Sequence, residues 1–308
     1  MRVIFMGTPD FAVPTLDALV AAGHQVVLVV SQPDRPAGRG QQLQSPPVIT
    51  RARELGLPTS QPRAVRSGSF PERIASLQAD VAVVIAYGRL LTQELLDAPR
   101  FGAVNLHASL LPAWRGAAPI QASLLAGDTF TGVSAQRMEL GLDTGPILVE
   151  RRIAVAPDET GGSLHDRLAE MSAVVAIQAL DLVEHATPSP QDDAAASWAP
   201  KLDRESGRVL WEEPSVAVER RVRAMTPWPG GWVPWGKGPL KLLQVKAVDG
   251  QGAPGTVLVA GDRLVVACGQ GALELLRVCA PGRKPVSGAD LVNGLHLIAG
   301  DVLAPKET

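Results

Sequence analysis

Short apolar runs alternate with amphipathic stretches through the first part of the chain. Segments such as residues 11–22 and 48–56 have helical spacing and reach a glycine, which is a frequent helix stop. The runs that predict buried strands are RVIFM, QVVLVVS, ADVAVVIAYG, GAVNLHAS and TGVSAQRME. Because strands this apolar are covered on both faces, the repeated strand–helix units predict an α/β fold with a mostly parallel sheet. An extended segment, PILVERRIAV, and a long amphipathic helix over residues 163–185 complete this region.

The pattern changes after a Pro- and Asp-rich segment without periodicity, ATPSPQDDAAAS. We therefore predict a first domain over residues 1–186, a linker over 187–204 and a second domain over 205–308. Residues 215–225 predict a short helix with Ser215 at its N-cap. Short strand signals separated by glycine-containing turns follow near 231–235, 240–247, 255–260, 263–267 and 272–278. Closely spaced short strands predict a small β-barrel or sandwich.

Length and composition agree with two ordinary globular domains. The chain has 308 residues, whereas single hydrophobic cores rarely grow beyond ~250 residues. Since MRVIFMGTPDF lacks a secretory apolar region and no run of ~18 apolar residues occurs, we expect a cytoplasmic protein without a membrane span. Cys268 and Cys279 are too few for a disulfide framework and form no CxxC zinc pair, so we expect reduced thiols and no metal site.

Charge is distributed unevenly along the chain. Residues 201–308 carry 14 basic and 11 acidic side chains, a balance of +3, whereas residues 1–200 carry 15 and 20, a balance of −5. The net charge of −2 indicates neither a nucleic-acid-binding nor a membrane-binding protein by itself. A mildly basic second domain is nevertheless compatible with a polyanionic partner.

Two segments after predicted strands invite a ligand-binding interpretation. MGTPDF lacks the glycine pattern of a nucleotide-binding turn, and Pro9 removes an amide donor, so a tight turn explains it well. The loop SQPDRPAGRGQQLQSPPV, residues 31–48, follows the second strand and contains Arg35 and Arg39. Its position is the carboxyl edge of the sheet, where α/β folds bind ligands. A solvated insertion is the alternative.

Three polar residues suggest a catalytic site at the same edge. Asn105 and His107 stand two apart at the end of the fourth strand, so both side chains point to one face. Asp143 lies in a turn between Gly141 and Gly145 after the fifth strand, and approaches His107 if these strands are neighbours. An amide that holds an oxyanion, an imidazole that moves protons and a carboxylate that orients it suit acyl transfer to an amine. A structural histidine and an Asx-turn aspartate are the alternatives.

The segments NLHASLLPAWRGAAPIQASLLAGD and GVSAQRMELGLDTGPIL resemble the signature of folate-dependent formyltransferases. Members of this family transfer the formyl group of 10-formyltetrahydrofolate to an amine. The resemblance implies that Asn105, His107 and Asp143 are catalytic. It further implies folate contacts by the SLLP segment: Ser109, Leu110, Leu111 and Pro112.

The resemblance covers nearly the whole chain, through MGTPDFAVPTLDAL, QPDRPAGRG, PWPGGW and APGTVL, and is greatest to members that formylate the α-amine of methionine on initiator tRNA. It implies a Rossmann-like formyl-transfer domain and a C-terminal OB-like β-barrel that assists tRNA binding. We expect a monomer, although the sequence itself does not give the oligomeric state. The loop over residues 33–45 would reach the acceptor end of the tRNA, with Arg39 as a contact. Gln41 and Gln42 stand where some relatives carry lysines, which lowers the charge of this loop. Arg220, Arg221 and Arg223 offer another basic patch, or a solvated helix face.

Three other functions remain open at this stage. The acceptor could be another amine, such as an amino sugar nucleotide or a purine precursor. The loop and the second domain favour tRNA over a purine precursor, but discriminate less against larger multidomain relatives, including a folate-hydrolysing domain. A nucleotide-dependent oxidoreductase is disfavoured by the missing glycine fingerprint. A noncatalytic RNA-binding protein would leave the three polar residues without a role.

Overall fold

The computed structural model describes residues 1–37, 42–66, 69–236 and 238–303. Two compact units make up the chain. The first unit comprises Met1–Pro119, Phe130–Ala154 and His165–Ala199, and the second comprises Ile120–Thr129, Val155–Leu164 and Pro200–Thr308. Both units are therefore assembled from segments that are not contiguous in sequence.

Strands and helices alternate up to residue 199, as the apolar pattern predicts. The strands are β1 (Arg2–Gly7), β2 (Gln25–Val30), β3 (Arg35–Ala37), β4 (Gln42–Gln44), β5 (Thr59–Ser60), β6 (Val81–Ile85), β7 (Ala103–His107), β8 (Arg115–Gly116), β9 (Phe130–Arg137), β10 (Ile147–Ala154) and β11 (Trp198–Ala199). The helices are α1 (Val13–Ala21), α2 (Pro47–Glu54), α3 (Phe70–Ser76), α4 (Gln93–Asp97), α5 (Pro119–Ala126) and α6 (Gly161–Leu182). The short helix α3 and the two-stranded pairs β3–β4 and β8–β11 lack a clear signal in the local hydrophobic pattern.

The first unit is built on a seven-stranded sheet in the order β10-β9-β7-β6-β1-β2-β5. The strands β7, β6, β1, β2 and β5 each pair in parallel with their neighbours in this order, whereas β9 runs antiparallel to both β7 and β10. Residues 3–6 of β1 and 81–85 of β6 are buried, as expected for strands covered on both faces. The mostly parallel, Rossmann-like sheet is therefore confirmed.

The second unit contains an antiparallel sheet. Beyond residue 200 its elements are α7 (Ser215–Ala224), β12 (Gly231–Trp235), β13 (Gly238–Val248), β14 (Val257–Ala260), β15 (Leu264–Ala267), β16 (Ala272–Cys279), β17 (Val286–Ser287) and α8 (Gly288–Leu295). The strand order is β12-β13-β16-β15-β14, and β17 pairs with β16. Each of the five predicted strand signals corresponds to one strand, so the small β domain after the α/β region is confirmed.

Helix α7 begins one residue earlier than predicted. Pro214 is its N-cap residue and Ser215 is its first helical residue, with no side-chain cap. The Ser215 amide instead donates a hydrogen bond to the Gln270 carbonyl at 2.9 Å. The prediction of Ser215 as N-cap was therefore wrong, because Pro214 already has the extended backbone conformation of an N-cap residue.

None of the helices in the described ranges combines the length and apolar character needed to cross a lipid bilayer.

Candidate active site

The end of β7 presents Asn105 and His107 on one face, as strand alternation predicts. In the sheet, Asn105 lies opposite Gln136 and His107 opposite Ser134 on β9. His107 is 7% exposed and Asn105 is half-buried. Within the described residues, the side-chain amide of Asn105 has no hydrogen-bond partner. Asn105 is therefore free to donate a hydrogen bond to a bound molecule.

The two ring nitrogens of His107 have different surroundings. Its Nε2 lies 2.9 Å from the carbonyl oxygen of Trp114. Because a carbonyl oxygen only accepts hydrogen bonds, Nε2 carries a proton. Its Nδ1 lies 3.8 Å from Oδ2 of Asp143, which is beyond direct hydrogen-bond distance. In the neutral ring, Nδ1 is therefore the nitrogen available to take up a proton.

Both carboxylate oxygens of Asp143 are held by donors. The Gly116 amide donates to Oδ2 at 2.9 Å, and Nε2 of Gln136 donates to Oδ1 at 3.2 Å. Asp143 itself has φ +56°, a left-handed conformation that is uncommon for a residue with a side chain. These contacts hold the carboxylate beside His107.

Strand direction explains how Asp143 reaches His107. Because β9 is antiparallel to β7, its last residue, Arg137, lies opposite Val104 rather than beside His107. The loop over residues 138–146 therefore has to fold back along β9. Gly145 lies so close to Arg137 that a Cβ there would collide with the Arg137 carbonyl oxygen. The predicted proximity is observed, but it depends on this returning loop and not on parallel strand ends.

The SLLP segment directly follows β7 and is only partly accessible. Ser109 is fully buried and its hydroxyl donates to the Ala113 carbonyl at 2.6 Å. Leu111 is 6% exposed, and its amide donates to Oγ of Ser134 at 3.0 Å. Leu110 and Pro112 are half-buried. Of the four residues implied in folate contact, Leu110 and Pro112 present the larger accessible surface.

The structure describes only some of the basic residues that were considered for tRNA contact. Arg39 lies outside the described residues, between the paired strands β3 and β4. On α7, Arg221 donates to Glu213 at 2.7 Å and Arg223 to the Glu159 carbonyl at 2.7 Å. The Arg220 guanidinium donates to the Ala126 carbonyl at 3.3 Å. These three guanidinium groups make hydrogen bonds within the second unit, which disfavours their interpretation as a basic patch for tRNA.

A basic cavity near the carboxyl ends of β5 and β6 was not predicted. It has a volume of about 360 Å³ and is lined by Arg63, Ala64, Val65, Arg66, Arg89 and Leu90. Arg89 is held by Oε1 of Gln32 at 3.1 Å and by the Arg63 carbonyl at 2.6 Å. The sequence signal that could have predicted this cavity is the presence of arginines directly after strands, at the edge of the sheet where α/β folds bind ligands. The cavity is an open depression at this edge of the sheet.

Across the described ranges, no group of three or more His, Cys, Asp or Glu side chains is arranged to hold a metal ion.

Comparisons with known proteins agree on one family. The formyl transferase family model matches residues 1–180, and the family model of the formyl transferase C-terminal domain matches residues 201–296. The chain is 48% identical to a methionyl-tRNA formyltransferase of Jannaschia sp. (strain CCS1), over 98% of this chain and 100% of that protein. It is 47% identical to a methionyl-tRNA formyltransferase of Pseudomonas paraeruginosa (strain DSM 24068 / PA7), over 98% and 99% of the two chains.

Solved structures show the same fold at low sequence identity. The N-formyltransferase from Helicobacter canadensis, in complex with folinic acid and dTDP-3-aminofucose, has a TM-score of 0.68 and 13% identity over 89% of this chain and 98% of that chain. HypX from Aquifex aeolicus, in complex with tetrahydrofolic acid, has a TM-score of 0.63 and 17% identity over 99% of this chain and 49% of that chain. At these identities the likeness concerns the fold alone.

Proposed function

The chain belongs to the formyl transferase family, and on that premise we propose that it transfers the formyl group of 10-formyltetrahydrofolate to the α-amine of methionine on initiator tRNA. The identity of the acceptor rests on one observation. Relatives named methionyl-tRNA formyltransferase share 44–48% identity with this chain over nearly its full length. The formyl transferases for amino sugars are similar to it in fold alone.

The reaction needs an oxyanion donor and a group that moves a proton. The amine nitrogen bonds to the formyl carbon, and the C=O electron pair moves to the formyl oxygen. As the carbonyl re-forms, the bond from the formyl carbon to N10 of the folate breaks and N10 acquires a proton. The amine loses one proton in the same process. Donor, base and acid therefore have to meet at one carbon atom.

Asn105 is the proposed donor to the formyl oxygen. Its amide is half-buried and, in the described part of the chain, makes no other hydrogen bond. A donor aimed at an oxygen that gains negative charge stabilises the transition state more than the ground state. Strand geometry places Asn105 and His107 ~6–7 Å apart along β7, close enough to act on one substrate group.

His107 is the proposed proton shuttle, and Asp143 supports it. The Trp114 carbonyl holds Nε2–H, so Nδ1 is the nitrogen that accepts a proton from the attacking amine. The Asp143 carboxylate, 3.8 Å from Nδ1, orients the ring and balances the charge that develops on it. His107 then returns a proton to the departing nitrogen.

The remaining predicted residues are proposed to bind the two substrates. Leu110 and Pro112 contact the folate, while Ser109 and Leu111 maintain the shape of this segment. Arg39 contacts the tRNA from the loop after β3. The second unit assists tRNA binding, in agreement with the positive charge balance of residues 201–308.

Formyl transfer to separate acceptors tests this proposal. The protein is incubated with 10-formyltetrahydrofolate and, in parallel reactions, with methionyl-tRNA, glycinamide ribonucleotide or an amino sugar nucleotide. We expect a formylated product from methionyl-tRNA alone. A product from a small amine alone would transfer the function to that acceptor, and no product from any acceptor would contradict formyl transfer itself.

We also propose that the enzyme acts as a monomer in the cytoplasm, where initiator tRNA is charged and used. Sedimentation equilibrium of the purified protein tests the first part. A mass near 32.4 kDa at all concentrations is expected, and a concentration-dependent mass near twice that value would contradict it.

A further inference from the structure

Residues 189–199, which we call the strap, are bound closely to the first unit although their sequence predicts a linker. At one end, Ser189 and Ile147 exchange two backbone hydrogen bonds of 2.8 and 2.7 Å. At the other end, the Arg115 amide donates to the Ser197 carbonyl at 2.9 Å as β11 pairs with β8. The strap therefore contacts both the loop that carries Asp143 and the segment that carries Trp114. These are the two segments whose polar groups lie against His107.

Gln191, the third residue of the strap, contacts the Asp143 loop directly. Its Nε2 donates to the carbonyl oxygens of Asp143 at 2.9 Å and Gly145 at 2.6 Å, and lies 3.3 Å from Oε1 of Gln136. Its Oε1 accepts two hydrogen bonds from Arg115, from Nε at 3.1 Å and Nη2 at 2.8 Å. All hydrogen-bonding atoms of this amide are thus engaged.

The chemistry of these partners sets the direction of every hydrogen bond. Arg115 only donates and remains charged, so the amide oxygen of Gln191 must face it. The NH₂ group of Gln191 then faces acceptors alone, including Oε1 of Gln136. Gln136 must in turn direct its own NH₂ group toward Asp143, where it donates to Oδ1 at 3.2 Å. The Asp143 carboxylate, which only accepts hydrogen bonds, requires this same orientation of Gln136. The principal contacts of Gln191 are the two shorter ones, which hold the backbone of the Asp143 loop at the Asp143 and Gly145 carbonyls.

The strap also supports Trp114, whose carbonyl is the hydrogen-bond acceptor for His107. The Trp114 amide donates to Oγ of Ser197 at 2.9 Å, and the Trp114 carbonyl accepts from His107. Trp114 has φ +62°, a conformation that needs external support in a residue with a large side chain. Both polar partners of His107 are therefore connected to the same eleven-residue segment.

We propose that the strap positions the His107–Asp143 pair, with Gln191 as the principal positioning residue for formyl transfer. Gln191 acts through Asp143 and Gln136 rather than on the reacting atoms. This inference rests on the proposed function for its activity measurements, and on the structure alone for its measurement of amide exchange.

The first test compares three variants with the unaltered enzyme. Gln191→Leu removes the donor and the acceptor at similar volume, whereas Gln191→Glu retains the acceptor for Arg115 and removes the donor to the Asp143 loop. Gln178→Leu is the matched control, since Gln178 accepts from Arg151 at 2.9 Å on α6, away from the strap. We expect kcat to fall about 10- to 100-fold in both Gln191 variants, with KM for donor and tRNA within about twofold, and no change in the control.

A double-variant cycle separates positioning from general destabilisation. In an Asp143→Ala background, Gln191→Leu should lower kcat by less than about twofold, because its effect passes through a carboxylate that is already absent. An equal loss in both backgrounds would overturn the inference. So would a Gln191→Leu variant with unaltered kcat, or one whose whole defect lies in KM.

Hydrogen exchange provides a measurement that needs no activity. The Gly116 amide, which donates to Asp143, should exchange about 10-fold faster in Gln191→Leu and remain unaffected in Gln178→Leu. Unchanged exchange at Gly116 would overturn the inference even where the double variant is too slow to assay. An unaltered enzyme without formyl transfer would instead contradict the proposed function and leave this measurement valid.

Discussion

At the scale of single residues, the proposed catalysis depends on which nitrogen of His107 is free. Nε2 is committed to the Trp114 carbonyl, and Nδ1 faces Asp143 without a direct hydrogen bond. The side-chain amide of Asn105 has no hydrogen-bond partner within the described residues. In the described part of the chain, the side-chain amide of Asn105 and Nδ1 of His107 are therefore without a direct hydrogen bond, which is the expected condition of groups that await a substrate.

Removal of the His107 side chain should separate chemistry from binding. We expect His107→Ala to lower kcat about 10²- to 10⁴-fold, the usual contribution of general acid–base catalysis, while KM for the folate donor changes less than about threefold. His165→Ala is the control, because this partly exposed histidine contacts Asp166 outside the site. Steady-state kinetics with methionyl-tRNA measures both constants. Equal kcat for His107→Ala and the unaltered enzyme would refute the assignment.

The two thiols should differ in reactivity. Burial raises the pKa of the Cys268 thiol to about 11, so little thiolate forms there at pH 8. Cys279 is partly exposed. We expect the native protein to react with one equivalent of a disulfide reagent within minutes at pH 8, and with two after denaturation. Cys279→Ser should abolish the rapid phase, and a rapid phase that persists in this variant would show that Cys268 is accessible.

At the scale of elements, the local hydrophobic pattern predicts which way side chains point, whereas it does not predict which distant segments pair. Alternation along β7 was sufficient to place Asn105 and His107 on one face, because side-chain direction is a local property of a strand. The reversal of β9 and the attachment of the strap depend on pairing between distant segments, which local hydrophobicity does not report. Gln191 was missed for this reason, since it stands in a polar, proline-containing segment that is typical of a linker.

The pairing of β8 with β11 requires a glycine at position 116. Gly116 has φ +119°, and a Cβ there would lie 2.5 Å from the Ala199 carbonyl oxygen. Gly116→Ala should therefore displace the strap, with a loss of stability of roughly 1–3 kcal/mol and a fall in kcat. Thermal unfolding and steady-state kinetics measure the two effects.

Gly56→Ala is the matched control for this variant. Gly56 also has a positive φ of +68°, but no atom lies within 4 Å of the place that an added Cβ would occupy, so only the backbone strain is shared. We expect Gly56→Ala to lose some stability and to retain its kcat. A Gly116→Ala enzyme that behaves like this control would show that close contact with Ala199 has no bearing on the site.

At the scale of the whole molecule, the sequence indicates two domains but not which segments of the chain belong to each. The apolar pattern changes near residue 186, and a boundary there follows naturally from composition. The second unit nevertheless includes Ile120–Thr129 and Val155–Leu164. No local property of α5 or of the start of α6 distinguishes these segments from the α/β region, because their assignment depends on contacts made by residues more than 60 positions away.

Separate expression of the two halves should reveal this interleaving. A fragment of residues 200–308 retains a core drawn entirely from its own sequence, between Val209 and Leu303. A fragment of residues 1–199 loses the partners of two carbonyls and one amide: the Ala126 carbonyl bound by Arg220, the Glu159 carbonyl bound by Arg223, and the Gly162 amide that donates to Thr226.

We expect fragment 200–308 to unfold cooperatively and fragment 1–199 to unfold at least about 10 °C below the full chain, or to aggregate, because two of its segments have lost their packing partners. Calorimetry of both fragments and of the full chain measures this difference. A fragment extended to residue 230 restores Arg220, Arg223 and Thr226 and should recover part of the loss. If fragment 1–199 unfolded at the temperature of the full chain, residues 120–129 and 155–164 would belong energetically to the first unit, and the boundary near residue 186 would be correct as first predicted from composition.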